Sequence, residues 1–314
     1  ANVFWDILPR LHLSAGVRFT QVENSFGNAA VFAEGVPLPT MVRIKGETDE
    51  VDPRVALSFD VTDTSMVYLQ TSTGFRPGYG NNPLAVGTHN TAGGVVVVPD
   101  TVDNEYLTNY EFGYKGTLLG QRLSYALAAF YMDYQDLQIR GPAIVDAGFE
   151  SFTYDRNQGE GSAKGAELEL NALLTDAWSL QLGAGYVDTE LKRPGTARSE
   201  IAGIRPWTVN VANVFEAPIN ATYDGLFRLD YKWQAQTFDS VLRTPESELP
   251  EFGIFNVTAG VSTERWSLVA YMDNITDEIY WVGTAGGTSL RGTRAIFIPR
   301  TFGLRFNFNF SSPR

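Results

Sequence analysis

Apolar and polar residues alternate with a period of two along most of this chain, in about twelve successive segments. Leu11, Leu13, Ala15, Val17 and Phe19 interleave with His12, Ser14, Gly16, Arg18 and Thr20. Val55, Leu57, Phe59 and Val61 do the same against Ala56, Ser58 and Asp60, and Tyr106 to Tyr114 against Asn109, Glu111 and Gly113. Further on, Leu168 and Leu170 interleave with Glu167 and Glu169, and Phe227, Leu229, Tyr231 and Trp233 with Arg228, Asp230 and Lys232. The last segment is the cleanest: Phe302, Leu304, Phe306, Phe308 and Phe310 against Gly303, Arg305, Asn307 and Asn309. A two-residue period places successive side chains on opposite faces of a β-strand, so each segment predicts a strand with one apolar and one polar face. The segments run to about ten residues or more, against five or six for strands of soluble proteins. Tyr, Phe and Trp recur near their ends, as in the aromatic girdles of membrane barrels.

The connections sort by length. Short ones fall near Thr62-Asp63-Thr64-Ser65, Gly120-Gln121, Thr175-Asp176-Ala177, Asn220-Ala221-Thr222 and Glu264-Arg265. Between them lie long ones near 27–46, 79–103, 141–152, 192–206, 239–251 and 282–298. This alternation predicts an all-β, antiparallel transmembrane barrel with short turns toward the periplasm and long loops outside. Ala1 to Asp6 reads as the tail of a preceding strand that turns at Leu8-Pro9-Arg10 into Leu11 to Asn24. The expectation is therefore one barrel domain over 1–310, beginning mid-hairpin with further chain upstream of Ala1, and a tail at 311–314.

Composition agrees with a membrane sheet and removes several function classes. Hydrophobic residues make up 44% and aromatics 13%, yet mean hydropathy is only −0.13. A strand that shows lipid every second residue averages to near neutral, so the low mean is compatible with a membrane. The net charge of −12 argues against nucleic acid, which needs clustered Lys and Arg. With no cysteine there is no thiol catalysis, disulfide or thiolate metal site. Only His12 and His89 are present, and neither neighbourhood supplies a serine with an orienting acid for hydrolysis. One loop imidazole does not make a metal site. The acidic run Glu47, Asp49, Glu50 and Asp52 has the chemistry for calcium, but reads first as a solvated loop base. No metal site, no cofactor and no catalysis are expected.

Several segments, in order and spacing across nearly the whole chain, carry a family resemblance. They are Pro53-Arg54-Val55-Ala56-Leu57-Ser58 with Gly74-Phe75-Arg76-Pro77-Gly78; Leu107 to Lys115 with Tyr134-Gln135-Asp136-Leu137-Gln138; Ala163 to Leu170; Asn274-Ile275-Thr276-Asp277 with Tyr280; and Pro299 to Leu304. Together they resemble the C-terminal barrel half of TonB-dependent receptors. The resemblance implies a Gram-negative outer membrane, a barrel of twenty-two strands with a plugged lumen, and a plug and TonB-contacting segment upstream of Ala1. It also implies outer-membrane lipid as surroundings, the TonB complex as partner, and a small-molecule or oligosaccharide ligand: ferric siderophore, haem, cobalamin or sugar. Thr301, Gly303, Phe306, Phe308 and Phe310 resemble the signal read by the outer-membrane assembly machinery.

Within this frame, Arg18, Glu111, Lys115, Glu167, Glu169, Arg228, Asp230, Lys232 and Arg305 are expected to face the lumen or plug. The plainer reading is that they pair across neighbouring strands. Tyr79, Asn81, Asn82, His89 and Trp281, in the long loops, are the candidate ligand contacts, since aromatic rings stack on flat ligands and amides offer both donor and acceptor. Arg76-Pro77-Gly78 and Asn274 to Asp277 read as strand-ending punctuation. The competing function is a passive twelve-strand pore or translocator, which would have to close by itself.

Overall fold

The fold is taken from a computed structural model, which describes every residue except 28–42, 82–85, 92–93, 141–143, 146–150, 153, 193–198, 240–242, 244, 285–293, 297–298 and 311–314. Thirteen strands form a single antiparallel sheet in which neighbours in space are neighbours in sequence. They are β1 (Asn2–Leu8), β2 (Leu11–Gly27), β3 (Arg43–Thr62), β4 (Ser65–Arg76), β5 (Glu105–Leu118), β6 (Leu123–Gln135) and β7 (Glu160–Thr175). The remainder are β8 (Trp178–Lys192), β9 (Trp207–Pro218), β10 (Asp224–Gln234), β11 (Phe252–Ser262), β12 (Trp266–Asp273) and β13 (Thr301–Phe308). These are the twelve strands counted from Leu11 onward, preceded by β1, which pairs with β2 as Asn2↔Gly16 through Asp6↔His12. β1 and β13 are not paired with each other, so the sheet does not close on itself.

The register aligns the alternating residues into two faces. One continuous row runs Leu13, Leu57, Leu69, Phe112, Ala129 and Ala166, each opposite the next. On this apolar face Leu69 is 60% exposed, Phe112 49% and Phe302 78%. Among the described residues no second layer covers it, whereas a soluble two-sheet protein would bury such residues. In a bilayer the same surface is satisfied by lipid, and the hydrogen-bonded ladder satisfies the backbone. Aromatic pairs border the face at both ends. Trp178 stacks on Phe215 (5.1 Å) at the short-turn end, and Tyr186 tilts against Trp207 (4.7 Å) at the long-loop end.

Because every pairing is antiparallel and sequential, all short turns lie at one end and all long connections at the other. The long connections carry their own two-stranded ribbons, such as Gly87–Thr91 with Gly94–Val98 and Gln138–Arg140 with Asp155–Asn157. One boundary differs from expectation. The acidic run Glu47 to Asp52 is strand, not loop base: β3 starts at Arg43 and pairs with β2 as Ser25↔Lys45 and Thr20↔Glu50. Above the bilayer both strand faces meet water, so the hydrophobic alternation that reveals a strand is absent there.

Candidate functional site

The nine charged residues expected in the lumen all fall on the face opposite the lipid-facing rows. Arg18 lies opposite Asp52, and Gln70 opposite Glu111. Glu169 lies opposite Gly183, Gly183 opposite Asn210, and Asn210 opposite Lys232. Glu167 and Arg228 with Asp230 continue this surface, as do Lys115, opposite Met66 and Ala126, and Arg305, opposite Val269. The cross-strand pairing holds for Arg18 and Asp52 (2.8 Å). Arg228 instead grips Asp230 on its own strand (2.6 Å), and Lys115 sits 5.6 Å from the centre of the Tyr68 ring, whose hydroxyl donates to Glu111 at 2.6 Å. Glu169, Lys232 and Arg305 form no ion pair among the described residues. Glu169, Asn171, Gln181, Asn210 and Lys232 line a groove of about 630 Å³. Its floor is low at Gly183, where an added Cβ would meet nothing within 4 Å.

At the long-loop end two built clusters appear. The first joins the connection after β4 to the one after β6. Asn81 is 2% exposed; its amide donates to the carbonyls of Pro99 (3.0 Å) and Asp155 (2.7 Å), and its oxygen accepts the Asp155 N–H (2.8 Å). Arg140 holds the Asp155 carboxylate with two bonds of 3.0 Å, which raises the Arg140 pKa further. Burial, then the Asp155 charge, pushes the Tyr79 hydroxyl up from its ordinary value. Glu105 accepts from Arg76 (2.5 Å) and from the Gln138 backbone (2.8 Å), while Asn157 ties Asp103 and Asp136 together. Tyr154, 1% exposed, packs with Val98 at the end of the Gly94–Val98 ribbon strand. Gly78 is required at its position: a Cβ there would stand 2.2 Å from the Val102 carbonyl.

The second cluster centres on Arg205, which the sequence did not single out. Its Nη1 donates to the carbonyls of Ala235 and Pro250 (3.0 Å for the latter), and its Nη2 to the carbonyl of Trp281 (3.4 Å). The guanidinium lies 4.9 Å from the Phe252 ring centre, and Phe252 stacks on Tyr280 at 4.1 Å. Phe252 and Ile254 stand on the polar face, opposite Gln234 and Lys232, and are buried only because residues 274–280 fold back over them. That fold-back is fixed at Asn274 (φ 51°) and Asp277 (φ 56°): the Asn274 side chain bonds both N–H and C=O of Glu278. This is the punctuation expected of Asn274 to Asp277, and β4 likewise ends at Arg76 as expected of Arg76-Pro77-Gly78.

The candidate ligand contacts are thus dispersed. Tyr79 and Asn81 belong to the first cluster, with the Asn81 amide wholly engaged in scaffolding. His89 is half-buried on the ribbon of residues 87–91, Trp281 stands beside Arg205 in the second cluster, and Asn82 lies outside the described residues. A short motif offered no way to find Arg205, because its partners are carbonyls from two other connections.

The wall so built has an unmistakable counterpart among known proteins: the family model described as TonB dependent receptor-like, beta-barrel matches residues 2–275. The chain belongs to this family. It forms part of a barrel wall of the Gram-negative outer membrane. Among curated proteins it is similar to a probable TonB-dependent siderophore receptor, PiuA of Acinetobacter baumannii, at 25% identity over 195 residues, covering 60% of this chain and 23% of that one. Among solved structures it is similar to the ferric yersiniabactin uptake receptor FyuA from Yersinia pestis (TM-score 0.76, 17% identity, 99% of this chain and 45% of that one). It is also similar to the copper transporter OprC (TM-score 0.71, 18% identity, 98% and 47%). The chain therefore spans less than half the length of these receptors, and at such identities the structural likeness speaks for the fold.

Proposed function

We propose that this chain is the wall of a TonB-dependent transporter that takes up a scarce, bulky solute, a ferric siderophore first among candidates. The observation that carries the reading is the two-faced sheet: an outer apolar face without cover among the described residues, and an inner face that bears charged residues, the nine expected ones among them, and a recessed polar groove. A charged inner face accommodates a hydrated plug and a polar solute at little desolvation cost. The relatives' names, a siderophore receptor, a yersiniabactin receptor and a copper transporter, all concern metals or their chelates. On this reading the barrel is not catalytic, the ligand is captured by the loop clusters and the plug, and TonB drives its release inward.

The self-contained pore is disfavoured by the open sheet. With the outer edges of β1 and β13 unpaired, two rows of backbone donors and acceptors would stand in lipid at a cost of several kcal/mol per group. The test is uptake of radio-iron supplied as a panel of ferric siderophores to cells making the full-length protein. Uptake that stops when TonB is removed supports the reading; uptake that continues unchanged without TonB indicates a passive pore.

A further inference from the structure

We propose that Arg205 is an anion-binding residue at the extracellular mouth, and that the solute bears a negatively charged group, carboxylate or phosphate in class, which the free edge of this guanidinium receives. The inference rests on the uptake reading and refines its substrate. A cation withdrawn from water gains from a carboxylate partner. Arg205 has none among the described residues: all its acceptors are neutral carbonyls, those of Ala235, Leu249, Pro250 and Trp281. The nearby Glu200 is engaged by Arg243 at 2.8 Å. Burial alone acts on the Arg205 pKa, in the lowering direction, with no carboxylate to offset it.

The geometry leaves a binding edge. Nη1 meets three carbonyls, Nη2 only the 3.4 Å contact with Trp281, and Nε none. Nε and Nη2 form the side-on fork with which arginine receives a carboxylate or phosphate through two parallel bonds. The Phe252 ring fixes the plane of the guanidinium, so little ordering remains to be lost on binding. Phe252 lies on the polar face, opposite Gln234, which turns the site away from lipid and toward solute rather than toward lipid headgroups.

The connection that carries Arg205 is itself basic in sequence. In a chain of net charge −12, residues 192–206 carry Lys192, Arg193, Arg198 and Arg205 against Glu200 alone. From Ile279 to the end there is no Asp or Glu, while Arg291, Arg294, Arg300 and Arg305 lie in that stretch.

The experiment is equilibrium binding of two radio-iron probes to the purified full-length receptor: anionic ferric citrate and neutral ferric tris-acetohydroxamate. The expectation is that the wild type prefers the anionic probe. Arg205→Gln weakens that probe about tenfold and leaves the neutral one unchanged, while Arg205→Lys, which keeps charge but loses the fork, falls between. Retained binding of the neutral probe shows that Arg205→Gln is folded. Equal affinity of the wild type for both probes, or no loss in Arg205→Gln, overturns the proposal and leaves the uptake reading standing. Failure of the wild type to bind either probe counts against both.

Discussion

Replacing Asn81 with Ala isolates what holds the first loop cluster together. Three partners lose their bonds at once: the Pro99 carbonyl, the Asp155 carbonyl and the Asp155 N–H, at 3.0, 2.7 and 2.8 Å. Asn81 is 2% exposed, so water does not replace them without the joint opening. At a net value of about 1 kcal/mol per bond, the joint loses about 3 kcal/mol. Since every 1.4 kcal/mol is about a factor of ten, the population of the opened joint rises about a hundredfold. The loss is local because these side-chain bonds reach no strand of the membrane sheet; its partners lie in residues 99 and 155. Hydrogen exchange followed by mass spectrometry on the full-length receptor reads this directly. Peptides spanning residues 79–81 and 154–157 should exchange about a hundredfold faster, while β5 and β6 keep their protection. Unchanged protection in those loop peptides, or a uniform rise across the sheet, would refute the claim that Asn81 is a loop scaffold.

Further outcomes follow from the same geometry. Phe112→Arg places a charge in the middle of the lipid-facing row and should weaken folding into lipid vesicles by about 2–4 kcal/mol, whereas Ala128→Arg, on the polar face opposite Gly113 and Glu167, should be far milder; equal effects would contradict the assignment of faces. Gly113→Val should cost about 2 kcal/mol, measured by urea midpoint, because its Cβ would stand 2.2 Å from the Tyr68 ring and displace the hydroxyl bonded to Glu111. The raised Tyr79 pKa makes a loop contribution that is fully present below the ordinary tyrosine value of about 10 and is lost as pH climbs through the folded value. Loop protection near Asp155 should therefore fall above about pH 10 in the wild type but not in Tyr79→Phe.

The strands and their faces were legible in the sequence because lipid enforces the alternation: any polar residue on the outer row, from Leu57 to Phe112, would be penalised. The same pattern set the order of strands, since sequential hairpins need no long-range information, and connection length told the two ends of the sheet apart. Where both faces meet water the rule lapses, which is why β3 extends to Arg43 through an acidic run that reads as loop. The loop clusters were beyond reach for a different reason. Asn81, Asp155 and Glu105 are polar residues in polar connections, and nothing local distinguishes a buried, fully bonded amide from a solvated one. Phe252 and Ile254 break the alternation on the polar face, and only the fold-back at Asn274 shows what covers them. Arg205 depends on carbonyls at 235, 249, 250 and 281, a meeting of three connections that exists only after the strands have set their ends side by side. Sequence alone thus determined the membrane wall, whose constraint acts residue by residue; tertiary structure decided the mouth, whose hydrogen bonds join residues far apart in the chain.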